Sequence, residues 1–159
     1  MTKQYATFYL GENLLGVNVL LIREINRHLE ITPVELVPSY VYGLINLRGQ
    51  IVTVLDLRER IGFEVSDDQE KIEGIIILKT SAEMAHLRNL LGQNENTARD
   101  MVGFLVDKIG DMVSIDDKNI ETPPANVSGV EGKYIDGVVK LEKDLLIILK
   151  VSEILKLEN

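Results

Sequence analysis

The chain has 159 residues, 17 of them basic and 25 acidic, for a formal charge of -8 at pH 7 with 45% hydrophobic content. That length suits one ordinary domain, or two very small units sharing a core, and the acidic excess works against a surface for phosphate backbones. Cysteine is absent, which excludes disulfides, thiolate nucleophiles and cysteine-held metals.

Residues 1–8 carry one lysine and no apolar run of signal-peptide length. The apolar runs at 75–78 and 145–149 are far shorter than the ~20 residues a bilayer helix needs. The expectation is a cytoplasmic protein that reaches membranes only through a partner.

Ala6, Phe8 and Leu10 alternate with Tyr5, Thr7 and Tyr9, predicting a strand that Gly11-Glu12-Asn13 turns into a second one over 14–17. Asn18 is placed to cap a short helix over 19–25, with Val19, Ile22 and Ile25 on one side. Thr32-Pro33-Val34-Glu35 has capping-box form, but Pro38 limits it to one turn, so 31–39 reads as a stiffened loop. Strands over 42–46 and 50–55 meet at Arg48-Gly49. Asp56 then caps a brief helix over 57–61, with Glu59 at the third helical position and Gly62 as its stop.

Residues 65–71 read as a polar surface connection, and 74–79 as a buried strand. Met84, Leu87 and Leu91 suggest a helical insert over 81–91, followed by a polar loop over 92–100. A strand over 101–109 continues through 111–115 past a bend at Gly110, and Pro123-Pro124 opens a loop that runs to Gly132. Ile135, Gly137, Val139 and Leu141 are expected on one face of the next strand. Glu142-Lys143-Asp144 turns the chain into a last strand over 145–150, and Val151, Ile154 and Leu155 mark a terminal amphipathic helix. Eight to ten short strands with two to four short helices, lacking the long helices of crossover connections, point to small barrels.

Motifs for chemistry are missing. His28 and His86 have no metal-ligand spacing, and no glycine-rich phosphate loop or nucleophile elbow is present. Asp67-Asp68 and Asp116-Asp117 read as solvated turns. Neither a metal nor a cofactor is expected, and the reading is a binding module with no catalytic residue. An enzyme with a dispersed site is the rival, marked by a pocket joining either histidine to two carboxylates.

The stretch 40–62, YVYGLINLRGQIVTVLDLRERIG, contains G-x-x-N-L-R-G, an apolar strand, D-L-R and a short helix ending in glycine. It resembles the signature region of the CheW-like domain family. Residues 8–25 resemble that family's opening strand pair and its V-x-x-I-R-E-I stretch. Gly103 to Asp107 resemble its G-x-x-V-D motif, and 135–138 with 145–149 resemble its closing strands.

The resemblance implies an all-β fold of two small five-stranded SH3-like barrels packed across a shared hydrophobic core, with a few short helices. Residues 1–159 would form one CheW-like domain of two intertwined subdomains, roughly 15–80 for one and 1–14 with 81–159 for the other. The implied function is a non-enzymatic adaptor coupling transmembrane chemoreceptors to the histidine kinase CheA, giving receptors control of autophosphorylation. The alternative is an adaptor of another chemosensory or pilus-motility pathway. Implied partners are the kinase's regulatory domain and the cytoplasmic signalling tip of methyl-accepting chemoreceptors, without nucleic acid or membrane insertion. The chain would be a monomer alone, recruited into membrane receptor arrays.

The resemblance places the receptor in a groove near Val41, Tyr42, Leu44, Asn46, Arg48 and Gly49, with Val102, Phe104 and Val106 as the opposing wall. Rim charges toward the kinase would be Arg58, Arg60, Asp67, Asp68 and Glu70, and structural roles fall to Asp56, Asp107 and Gly137. Arg48 either pins the strand junction, with Glu24 as its partner, or offers a fork to a partner protein. Asn46 is expected to bond the local turn and Gly49 to supply backbone freedom. Lys150 stands where many relatives carry a capping side chain, and 81–100 is longer than the usual connection.

Overall fold

A run such as Ile75-Ile76-Ile77-Leu78 has no polar face to offer water, so its strand must be buried on both sides. A computed structural model of the chain, which describes residues 1–27, 30–62, 74–85, 97–127 and 129–156, shows how this is arranged. Strands β1 (Thr2–Leu10), β2 (Asn13–Asn18), β8 (Lys108–Asp116), β11 (Ile135–Lys140) and β12 (Leu145–Leu149) form one sheet, ordered β11-β12-β2-β1-β8. Strands β3 (Ile22–Asn26), β4 (Val41–Leu47), β5 (Gln50–Asp56), β6 (Gly74–Leu78) and β7 (Val102–Val106) form a second, ordered β3-β6-β7-β5-β4. Each sheet is mixed, with β12–β2 and β5–β7 parallel and the remaining pairs antiparallel. A two-stranded ribbon, β9 (Asn126–Val127) with β10 (Val130–Glu131), lies inside the proline-led loop. Among the described residues the short α-helices are α1 (Leu57–Ile61), α2 (Ser81–Met84) and α3 (Val151–Ile154).

Among the described residues three clusters account for most of the burial. Ile76 and Leu78 of β6 and Ile147 and Leu149 of β12 enter one large core with Phe8, Leu15 and Phe104, drawn from both sheets. The alternate residues Ile75 and Ile77 pack with Ile45, Val52 and Val54 inside the second sheet. Leu146 and Ile148 pack with Tyr5, Leu14 and Val139 inside the first. Each sheet therefore has one face on the shared core and one on a smaller core of its own.

Several expectations change. Only Val19–Leu21 is helical after Asn18, as a single 3-10 turn in which the Leu20 N–H donates to Asn18 Oδ1 at 3.0 Å. Residues 22–26 are instead β3, because pairing with the buried β6 outweighs a helix too short to sustain itself. The strand expected over 101–115 breaks at Asp107, since β7 and β8 belong to different sheets, while the expected bend at Gly110 falls at the register shift of β8 against β1. Sheet membership thus changes after Asn18 and at Asp107, away from the expected boundaries near 14 and 80. On β11 a register shift beside Asp136 puts Ile135 and Val138 in the shared core, while Val139 and Leu141 pack on the other side. Residues 65–71, the rest of the helical insert beyond Ala85, and both histidines lie outside the described residues. Among the described residues no helix is long and apolar enough to cross a membrane.

Candidate docking surface

Alternation along β4 turns Gly43, Ile45 and Leu47 inward and leaves Tyr42 and Asn46 exposed, with Val41 and Leu44 half-buried. On β5, Ile51 pairs opposite Asn46 and is 58% exposed. Tyr42, Leu44 and Ile51 therefore give the hairpin an outward face that is apolar at its centre and polar at its end. Singly exposed apolar residues need no explanation, but neighbouring ones on one strand pair offer area to a partner.

The hairpin closes through a two-residue turn. Arg48 has φ +50° and Gly49 φ +85°, the positive values that a type I′ turn requires at both positions. Glycine accepts this freely, whereas a side chain pays about 1 kcal/mol for the left-handed region. The turn is held by the Gly49 N–H, which donates to Asn46 Oδ1 at 2.9 Å. From this tip Arg48 Nη2 donates to Glu24 Oε1. Glu24 lies on β3 and Arg48 follows β4, the opposite edges of the sheet, so the sheet curls enough for one side chain to reach across. The Arg48 side chain is still 67% exposed despite this pairing.

The sequence model of the CheW-like domain family matches residues 4–159. The chain belongs to that family. It is 26% identical to a chemotaxis protein CheW from Treponema pallidum over 154 residues, covering 95% of this chain and 81% of that one. It is 30% identical to a chemotaxis protein CheW from Thermotoga maritima over 151 residues, covering 94% and 85%. The crystal structure of a scaffolding CheW from Thermoanaerobacter tengcongensis superposes with a TM-score of 0.78 at 26% identity, over 99% of this chain and 90% of that one. The protein is a non-enzymatic CheW-like scaffold of chemotaxis signalling.

The remaining site residues of this CheW-like domain fall in different places. Val102, Phe104 and Val106 cannot form a groove wall. They lie on β7, the middle strand of its sheet, and are buried in the shared core. Arg58 is not a rim charge either. Its side chain is 7% exposed, with Nε 3.4 Å from Asp56 Oδ1 and Nη1 3.6 Å from Asp107 Oδ1. Asp56 also caps α1 by accepting from the Arg58 N–H at 3.1 Å, and Asp107 Oδ2 accepts from the Gly11 N–H at 2.8 Å. Both carboxylates are thereby tied into local backbone, and α1 ends at Gly62 in the left-handed region.

Arg60 is half-buried and engaged within the chain. It donates from Nε to Ile154 O at 2.9 Å, from Nη1 to Tyr134 Oη at 2.9 Å and from Nη2 to Lys156 O at 2.8 Å. At Gly137 an added Cβ would stand 2.3 Å from Ile120 Cγ2, so only glycine lets the chain approach β11 there. Asp67, Asp68 and Glu70 lie outside the described residues.

Sequence reasoning passed over Ile51 and Leu36. Ile51 could have been found, because it shares an alternating face with Thr53. Leu36 has φ +62° and is fully exposed in the 31–38 loop, where no periodicity announces an apolar residue aimed at water.

Proposed function

We propose that this chain couples transmembrane chemoreceptors to the histidine kinase CheA, so that receptor state controls autophosphorylation. The exposed apolar face of the β4–β5 hairpin, with the exposed side chain of Arg48 at its tip, carries this reading. A receptor's helical signalling tip lays its apolar stripe along Val41, Tyr42 and Leu44, with Asn46, Arg48 and Gly49 setting register at the turn. The kinase's regulatory domain meets the chain elsewhere, with Asp67, Asp68 and Glu70 tuning encounter and register. The protein is cytoplasmic, a monomer alone, and joins receptor arrays through these partners.

The same reading makes each sheet a small SH3-like barrel, the two forming one intertwined domain. Support comes from the sheet edges. Chain following β3 pairs with β4 through Thr32 and Leu44, and chain following β8 pairs with β11 through Glu121 and Val138. The Arg48–Glu24 pair and the separate inner core of each sheet point the same way.

Purified protein mixed with a receptor signalling fragment and the kinase, read by complex formation and kinase activity, tests the proposal. Tyr42→Ala and Arg48→Ala are expected to weaken receptor binding roughly tenfold each with little change in unfolding midpoint. Failure of the unaltered protein to bind either partner at tens of micromolar sinks the coupling reading.

A further inference from the structure

Helix α3, the last described element, is held in place from the opposite sheet. Helix α3 is one turn long, and Lys150 at its N-cap makes no side-chain bond to it. A single turn does not sustain itself in water. Two apolar anchors, Val151 and Ile154, reach down into the shared core. At its C-terminal end the carbonyls of Ile154 and Lys156 accept from Arg60 at 2.9 and 2.8 Å, and that of Glu153 lies at 3.5 Å. Helix C-termini leave such carbonyls without intrahelical partners, and here a guanidinium fork from α1 supplies them.

Arg60 is itself positioned by aromatic rings. Its guanidinium carbon lies 5.3 Å from the Tyr40 ring centre and 5.2 Å from that of Tyr134. Tyr134 also accepts from Arg60 through its hydroxyl. Tyr40 and α1 flank the second sheet's hairpin, whereas Tyr134 and α3 flank strands of the first. A cleft of about 160 Å³ lined by Tyr40, Arg60, Lys133, Tyr134, Glu153 and Lys156 opens beside the guanidinium. The outer charges are locally matched: Lys156 bonds Glu153 at 2.7 Å and holds that carboxyl below its usual range, while a hydrogen bond to Tyr134 raises Lys133.

We propose that residues 150–156 form a strap latched by Arg60, which opens as a unit while both sheets stay folded. Arg60 is a positioning residue in this scheme. Opening withdraws Val151 and Ile154 and uncovers the apolar floor beneath them, and it unties the second sheet from the first at this end. The apolar anchors set the closed position and the water-accessible fork sets how often it is left.

Hydrogen exchange on the full chain tests this. Arg60→Ala should speed exchange of the Glu153, Ile154, Leu155 and Lys156 amides by about tenfold or more, as expected when charge-assisted bonds are lost. The Ile147 and Leu149 amides of β12 should keep their protection. Arg60→Lys should behave like the alanine variant, because an ammonium cannot bridge carbonyls and a phenol in one plane. Unchanged exchange at 153–156, equal acceleration across the chain, or full rescue by lysine each overturns the latch. If Arg60→Ala does not fold, Tyr134→Phe decides: about threefold faster exchange confined to 153–156 supports the latch, and none overturns it.

Discussion

Arg48 occupies a backbone position that suits another residue better. Asn-Gly is the favoured pair for a type I′ hairpin, because asparagine tolerates the left-handed region that arginine enters at a cost. Arg48→Asn should therefore raise stability by about 0.5–1 kcal/mol, or leave it unchanged once the exposed pair with Glu24 is lost. The same variant should weaken receptor binding. Urea unfolding beside a binding assay separates the two effects; a destabilised variant with normal binding would assign Arg48 to structure alone. Arg58, ten residues on, is the opposite case. Arg58→Met would strand Asp56 and Asp107 against each other with their cation removed, costing roughly 3 kcal/mol. A urea midpoint within error of the unaltered protein would show that the buried pairs contribute nothing net.

At the scale of elements, what could be read in advance was whatever chemistry closes locally. Helix α1 was legible from Asp56 to Gly62 because its cap and its stop lie within its own seven residues. The Arg48-Gly49 turn and its Asn46 bond were legible for the same reason. Strand β3 was not, since Ile22 and Ile25 suit a helix face and a strand equally, and only β6, fifty residues away, decides between them. The break at Asp107 was hidden by alternation that runs on through two strands of different sheets. The groove wall failed likewise: Val102, Phe104 and Val106 alternate, yet a strand buried on both faces offers neither one to a partner.

Gly137 was identified as structural, and the contact that makes it so is long-range. Gly137→Ala would drive a methyl into Ile120 and toward the Glu121 carbonyl, beside the Glu121–Val138 bridge. The expected cost is about 1–3 kcal/mol, measurable by thermal unfolding. Thr80→Ala, which deletes the capping box of α2, should cost about 1 kcal/mol and leave the sheets alone.

At the scale of the whole molecule, the shared core determines how the two sheets behave under load. Phe8 from the first sheet and Phe104 from the second are both fully buried in that one cluster. Neither sheet can lose its partner without exposing such residues, so the two should unfold together even though each has an inner core of its own. Phe8→Ala and Phe104→Ala are each expected to cost about 3–5 kcal/mol. Each should shift a single transition seen alike by circular dichroism and by calorimetry. If instead Phe8→Ala leaves a separate late transition, the second sheet is an independent folding unit. The two sheets would then be joined flexibly, and a load on one would not be felt at the other. A common transition means that a partner docked on the β4–β5 hairpin and a second one docked elsewhere on the chain hold the same rigid body, which is the mechanical condition for coupling them.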